Sequence, residues 1–225
     1  MFYKIKENGY AKVSTDECPE DPRSNCESFG TFYTFCRRLR SPDKHDFYDF
    51  DSFLEDMGCE YTNVVGIIQQ LAKKGFIALP VFLMDHSART YKASLDCKDP
   101  FCRFHMGMDS GLVGIIYVSR EKARNEMQVN RITAHTLKQI YDNLESEVDE
   151  WSAYANGDVF YIQSFDEAGN NTDVACGGFY GDGATQAIQQ LYGIDAKDII
   201  ELGDFNSIEE VFSSNKEACA CILIA

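Results

Sequence analysis

Apolar positions along the chain switch between a two-residue and a helical period, and the switches outline its elements. Phe2–Lys6 and Ala11–Ser14 read as strands joined by Glu7-Asn8-Gly9-Tyr10, where Asn-Gly is a hairpin signal. Thr15–Asn25 is a polar loop with Pro19 and Pro22, and the aromatic-rich Phe29–Leu39 reads as a strand or a mixed segment. Asp51 is expected to cap a short helix ending at Gly58. Thr62 is expected to cap a second, closed by Lys73, Lys74 and Gly75, which suits the helix dipole and a left-handed terminal residue. Buried strands are expected at 76–84 and 111–118, with a long loop at 85–108 between them. Thr133 opens the clearest amphipathic helix. Leu137, Ile140, Tyr141, Leu144, Val148 and Trp151 share one face, and Asp142, Glu145, Glu147, Asp149 and Glu150 line the other. Further on, Asp158–Phe165 and Asp173–Phe179 pair across Glu167–Asn171, and a helix covers 184–192. A loop-and-helix piece runs to 202, Ser207 with Glu210 forms a capping box, and the apolar tail Cys219–Ala225 reads as a strand. Strands with interspersed helices and no regular βαβ alternation predict an α+β fold, a mainly antiparallel sheet with several flanking helices.

Charge divides the chain unevenly. Residues 1–138 hold 19 basic and 19 acidic side chains, whereas 139–225 hold two basic ones, Lys197 and Lys216, against 17 acidic ones. The expected organisation is a charge-neutral α+β core over 1–138, with the acidic part 139–225 packed on the same domain. A field of one sign repels nucleic acid and attracts basic surfaces, so direct nucleic-acid binding is not expected. No apolar run approaches the roughly 20 residues that a membrane helix needs, and the N-terminal sequence does not resemble a signal peptide. Nine cysteines at scattered spacings fit reduced thiols in the cytoplasm better than a disulfide framework.

Candidate chemistry gathers in Leu79–Lys122. Asp85-His86-Ser87 follows the first buried strand and Asp109-Ser110-Gly111 precedes the second, so Asp85, His86, Asp109 and Ser110 supply the residue types of Ser/His/Asp catalysis or of a carboxylate–histidine metal site. Turn and cap chemistry at strand ends accounts for the same residues, and the Gly-x-Ser-x-Gly elbow is missing. Cys97, Cys102 and His105 are the nearest approach to a zinc motif, with a fourth ligand to be sought in Cys18, Cys26 or His86. Asp43, Asp46, Asp49 and Asp51 lack the glycine and closing glutamate of a calcium loop. Gly177–Gly183 lacks the Lys-Ser/Thr of a phosphate loop, and Arg37, Arg38 and Arg40 are expected to serve as internal salt-bridge partners. No cofactor is implied.

Several segments carry a resemblance. DPRSN, FGTFYTFCRRL, DKHDFYDFDSFLEDM, LPVFLMDHSA, MDSGLVGIIYVSREK, GDVFYIQSF and DVACGGFYG, in order over about residues 16–182, resemble a family of uncharacterised proteins encoded by bacteriophages, plasmids and other bacterial mobile elements. Ala88, Met108, Leu112 and Gly177 depart from that family's pattern of Gly, Trp, Gln and Trp. The resemblance implies a mobile-element accessory protein located in the cytoplasm of a bacterial host, and it implies no activity.

With the charge pattern, the expected function is binding of a host protein that has a basic surface, such as a nucleic-acid-handling defence enzyme. The contact is expected on Asp142, Glu145, Glu147, Asp149, Glu150, Glu209 and Glu210. The alternatives are a small hydrolase or metal-dependent enzyme built on the two polar loops, or a protein that sequesters a nucleotide-like ligand.

Overall fold

A computed structural model describes residues 1–24, 28–86, 88–95, 110–181 and 183–214. In chain order the elements begin with β1 (Phe2–Ile5), β2 (Gly9–Thr15), β3 (Thr31–Thr34), α1 (Phe50–Asp56) and α2 (Val64–Lys73). They continue with β4 (Phe76–Asp85), β5 (Arg89–Ala93), β6 (Ser110–Ser119), α3 (Arg120–Glu126) and α4 (Ala134–Asn156). The last are β7 (Val159–Phe165), β8 (Asn171–Tyr180), α5 (Ala184–Tyr192), a 3-10 turn at Ala196–Asp198, β9 (Ile199–Gly203) and a helix, α6, over 208–214. They fall into two units, Asp21–Asn156 and Met1–Glu20 with Gly157–Ala225. Each unit is organised on its own antiparallel sheet, so the fold is α+β. The change from neutral to acidic sequence at residue 139 falls inside α4.

In the unit Asp21–Asn156 the strand order is β3-β6-β4-β5. β4 is buried on both faces, which its unbroken apolar run requires. Ile77, Leu79, Val81 and Leu83 alternate to one face and meet Ile140, Leu144, Val148 and Trp151 of α4. Ala78 and Ile115 turn to the other face, where Phe53 and Leu54 of α1 and Ile67 and Leu71 of α2 close a second core. The α1 cap is Asp49, not the expected Asp51: its side chain accepts from Ser52 N while Ser52 Oγ accepts from Asp49 N. Asn63, not Thr62, caps α2, accepting from Gly66 N. α3 was not expected from the pattern, and Ser119 caps it through Lys122 N.

Both edges of this sheet are closed by side chains. On β3, Phe32 N donates to Asp43 Oδ2 at 2.7 Å, Thr34 N donates to Ser41 Oγ at 3.0 Å, and His45 Nε2 lies 3.0 Å from Thr34 O. On β5, which lies within the expected 85–108 loop, Tyr91 N donates to Ser152 Oγ of α4. Asn156 holds both the N–H and the carbonyl of Arg89.

One buried guanidinium ties the polar loop before β3 to α4. Arg23 forms a two-point pair with Asp43 (2.6 and 3.0 Å), donates to Glu147 Oε2 at 2.9 Å, and donates to Gly30 O at 2.7 Å. Its side chain is 4% exposed. Burial opposes its charge, yet the Asp43 and Glu147 carboxylates outweigh that and hold its pKa above the ordinary arginine value. Glu147 also accepts from Phe29 N and Gly30 N. Gly30 must be glycine here, because a Cβ would sit 2.5 Å from a Leu144 methyl and 2.9 Å from Ile116.

In the other unit the strand order is β8-β7-β2-β1-β9. The predicted hairpin is present, with its turn at Lys6–Asn8 and left-handed backbone at Glu7 and Gly9. Tyr3, Ile5, Ala11, Val13 and Ile162 pack under Ala187 and Ile188 of α5. Phe2 and Phe165 turn to the opposite face and meet Ile208 and Val211 of α6. β9 replaces the expected loop-and-helix piece before 202, and the predicted tail strand Cys219–Ala225 lies outside the described residues. Among the described residues no helix is long and apolar enough to cross a membrane.

Removing one partner of a buried ion pair leaves the other charge uncompensated, at a cost of about 3–5 kcal/mol. Arg23→Ala is expected to lower stability by that amount, read by urea unfolding. Asp142→Ala, at an exposed position of α4, should change it by no more than about 0.5 kcal/mol.

Candidate functional site

The polar clusters flanking β4 and β6 meet at one end of the sheet of Asp21–Asn156. Asp85 is the last residue of β4 and pairs in register with Arg89, which it also meets as an ion pair at 3.7 Å with both side chains half exposed. Ser110 is exposed and opposes Met84. Cross-strand partners share a face and successive residues alternate, so Ser110 projects with Met84 while Asp85 projects from the opposite face. His86 is exposed, and its N–H donates to Ala88 O at 3.4 Å. Ser87 and Asp109 lie outside the described residues. The sheet therefore brings Asp85, His86 and Ser110 to one end without placing Asp85 and Ser110 on a common face. The arrangement ends strands and pairs a charge.

The proposed zinc residues Cys97, Cys102 and His105 lie outside the described residues, as does Cys26. Among the described residues Cys18, Cys36, Cys59 and Cys176 are free thiols, and no group of three or more His, Cys, Asp or Glu side chains is arranged to hold a metal. An apolar groove with room for only about 10 Å³ runs between α1, α2 and the sheet, lined by Phe50, Val64, Ile67, Pro80, Leu112 and Ile115. It offers no polar side chain to orient a ligand, and ligand sites usually span about 300–1,000 Å³.

The acidic face of α4 is less uniform than its sequence. Asp142 and Asp149 are exposed, and Asp142 pairs with Lys138 one turn away at 3.3 Å. Glu147 is a correction to the expected contact face, because it is the carboxylate that closes the Arg23 cluster. Burial, and then the charges of Asp142 and Asp149, raise the pKa of Glu145 above the usual glutamate value. Protein packed around the carboxyl, and then Glu147, do the same for Glu150, though much of that residue's surface stays open. Of the basic trio, Arg40 pairs with Asp21 at 2.5 Å and Arg37 lies 4.3 Å over the Tyr48 ring.

Glu209 and Glu210 belong to the other unit, on α6, and both are exposed. Glu210 N–H donates to Ser207 Oγ at 3.4 Å, so Ser207 caps α6 as expected, but the Glu210 carboxylate accepts from Asn206 N at 2.9 Å and not from the Ser207 N–H that the predicted capping box requires. That unit holds 16 acidic residues against five basic ones. Its described lysines are all occupied within it. Lys4 pairs with Glu167, Lys6 with Asp198 and Lys197 with Asp195, and Lys12 donates to Asn206 O. The N-terminal ammonium pairs with Asp204. Lys6 and Lys197 remain largely exposed beside their partners, and the acidic excess makes the field that faces solvent predominantly negative. The acidic stretch 139–225 does not coincide with this unit, since its β1–β2 hairpin comes from the far end of the chain and residues 139–156 belong to α4 of the other unit.

No family model, no curated protein and no solved structure matches the chain.

A carboxyl whose pKa rises on folding destabilises the fold where it is ionised, above its folded pKa, and the penalty fades as pH falls through that value. Glu145→Gln is therefore expected to raise the melting temperature by about 1 °C at pH 7. The gain should vanish below about pH 4, where the parent glutamate is protonated in both states. Thermal unfolding at the two pH values checks this.

Proposed function

We propose that this protein is a non-catalytic accessory protein of a bacteriophage or other mobile element. It acts by docking the acidic unit built from Met1–Glu20 and the segment after Gly157 onto the basic surface of a host protein. A nucleic-acid-handling defence enzyme is the target class that best suits such a surface, because its substrate groove is already complementary to a dense array of negative charge. The observation that carries this reading is the excess of 16 acidic over five basic residues in that unit, with its described lysines engaged internally. Long-range steering by such a field speeds association and weakens steeply with salt. The half-exposed Asp85–Arg89 pair, and the opposite faces of Asp85 and Ser110, give the enzymatic alternative no comparable support.

The test is capture from bacterial lysate on the tagged full chain at low and moderate salt, read by mass spectrometry. One basic nucleic-acid-handling protein should be enriched at low salt and lost as salt rises. Combined Glu17→Lys, Glu201→Lys and Glu209→Lys substitutions, all at exposed positions, should weaken its binding by at least about tenfold. Asp142→Lys on α4 should leave it within about twofold. Capture that resists salt, or that survives the triple reversal, overturns the proposal.

A further inference from the structure

The two sheets treat their edges differently. In the unit Asp21–Asn156, Asp43, Ser41 and His45 occupy the outward groups of β3, and Ser152 and Asn156 occupy those of β5. β8, at the edge of the other sheet, bonds to β7, and over 171–178 the side-chain partners of its backbone among the described residues come from the strand itself, Asp173 N donating to Asn171 Oδ1 and Cys176 Sγ to Gly177 O. Every residue over 171–178 is exposed, and Val174 and Tyr161 of the neighbouring β7 leave apolar surface in the open. Edge backbone that no other element covers among the described residues is a template for another strand.

Two features shape what this edge accepts. The β7–β8 ladder is interrupted twice, once on each side of the Ile162–Cys176 and Gln163–Ala175 pairs. Left-handed backbone at Asp173 and Gly178 accompanies the interruptions. Bulges twist the ends of an edge away, so the regular stretch is short and centres on Ala175 and Cys176. Carboxylates also flank it. Asp16 Oδ2 lies 2.6 Å from where a Cβ on Gly177 would be, which sets that charge beside the middle of the strand, and Asp173 lies in the strand itself. A second copy paired edge to edge would set these acids against their own images, whereas a cationic strand would meet complementary charge.

We propose that β8 docks a short extended segment of a partner protein carrying Lys or Arg at alternate positions, which adds to the five-stranded sheet as a further strand. The proposal rests on the acidic-docking reading above and specifies its contact. Backbone pairing supplies the affinity, and Asp16 and Asp173 select the charge of the incoming strand. β9, the opposite edge, is only five residues long and carries Glu201 as its one acidic side chain.

The test uses the full chain and two acetylated, amidated peptides of about ten alternating Lys and Thr residues, one ordinary and one N-methylated at every residue. The two carry the same charge, but the methylated peptide cannot donate to a strand. The ordinary peptide is expected to bind at least about tenfold more tightly, by calorimetry at low salt. It should slow hydrogen exchange over 174–177, and Asp16→Asn with Asp173→Asn should weaken it by roughly threefold. Equal binding of the two peptides overturns the edge proposal while leaving the acidic-docking reading standing. Failure of the ordinary peptide to bind overturns the edge proposal, and so does protection confined to β9. Protection of 174–177 that grows with protein concentration in the absence of peptide also overturns it, since the occupant is then a second copy.

Discussion

The pairing of Arg23 with Asp43 and Glu147 is the constraint on which the unit Asp21–Asn156 depends. A guanidinium that is 4% exposed carries a charge that water would otherwise solvate, and only a two-point carboxylate with a second carboxylate beside it offsets that loss. The same two carboxylates do more than neutralise it. Asp43 accepts the outward N–H of Phe32 at the edge of the sheet, and Glu147 accepts Phe29 N and Gly30 N. One cluster thereby fixes the entry to β3, blunts that edge and anchors a loop to α4. The apolar contacts of Ile77, Leu79 and Val81 with α4 supply the larger burial, and the ion cluster sets where the loop and the helix lie relative to the strand.

Much of the fold is legible in the sequence where local chemistry and periodicity agree. The pattern places α5 at its observed bounds, and Gly193, in left-handed backbone, stops it. The long helix at Thr133 and the two buried strands were equally plain, because their apolar periods are long. The misses share a cause. β5, with the sequence RTYKA, buries only Tyr91 and Ala93 and gains its outer hydrogen bonds from Ser152 and Asn156 of α4, more than sixty residues away. β9 depends on β1 from the opposite end of the chain. Short elements held by distant partners leave little local trace.

The candidate site was legible only in its charge. Composition along the chain pointed to an acidic region, yet Glu147 reads like Glu145 or Glu150 until Arg23 is seen beside it. The contrast between the two sheets' edges among the described residues has no signal in the sequence. It depends on which backbone groups find side-chain partners, and no window of sequence contains that information. The polar loops around β4 and β6 drew attention by residue type, but the pleat sends Asp85 and Ser110 to opposite faces. Charge and an edge without cover from other elements among the described residues meet in the same unit, and the proposed docking draws on both.

On the proposed reading it is the acidic unit, and not the end of the other sheet, that meets a partner. Hydrogen exchange on the full chain, alone and with the protein it captures from lysate, tests it most directly. Slowed exchange is expected in the unit of residues 1–20 and 157–214, and unchanged exchange around Asp85, His86 and Ser110. Protection concentrated at those three residues, with the acidic unit unaffected, would contradict it.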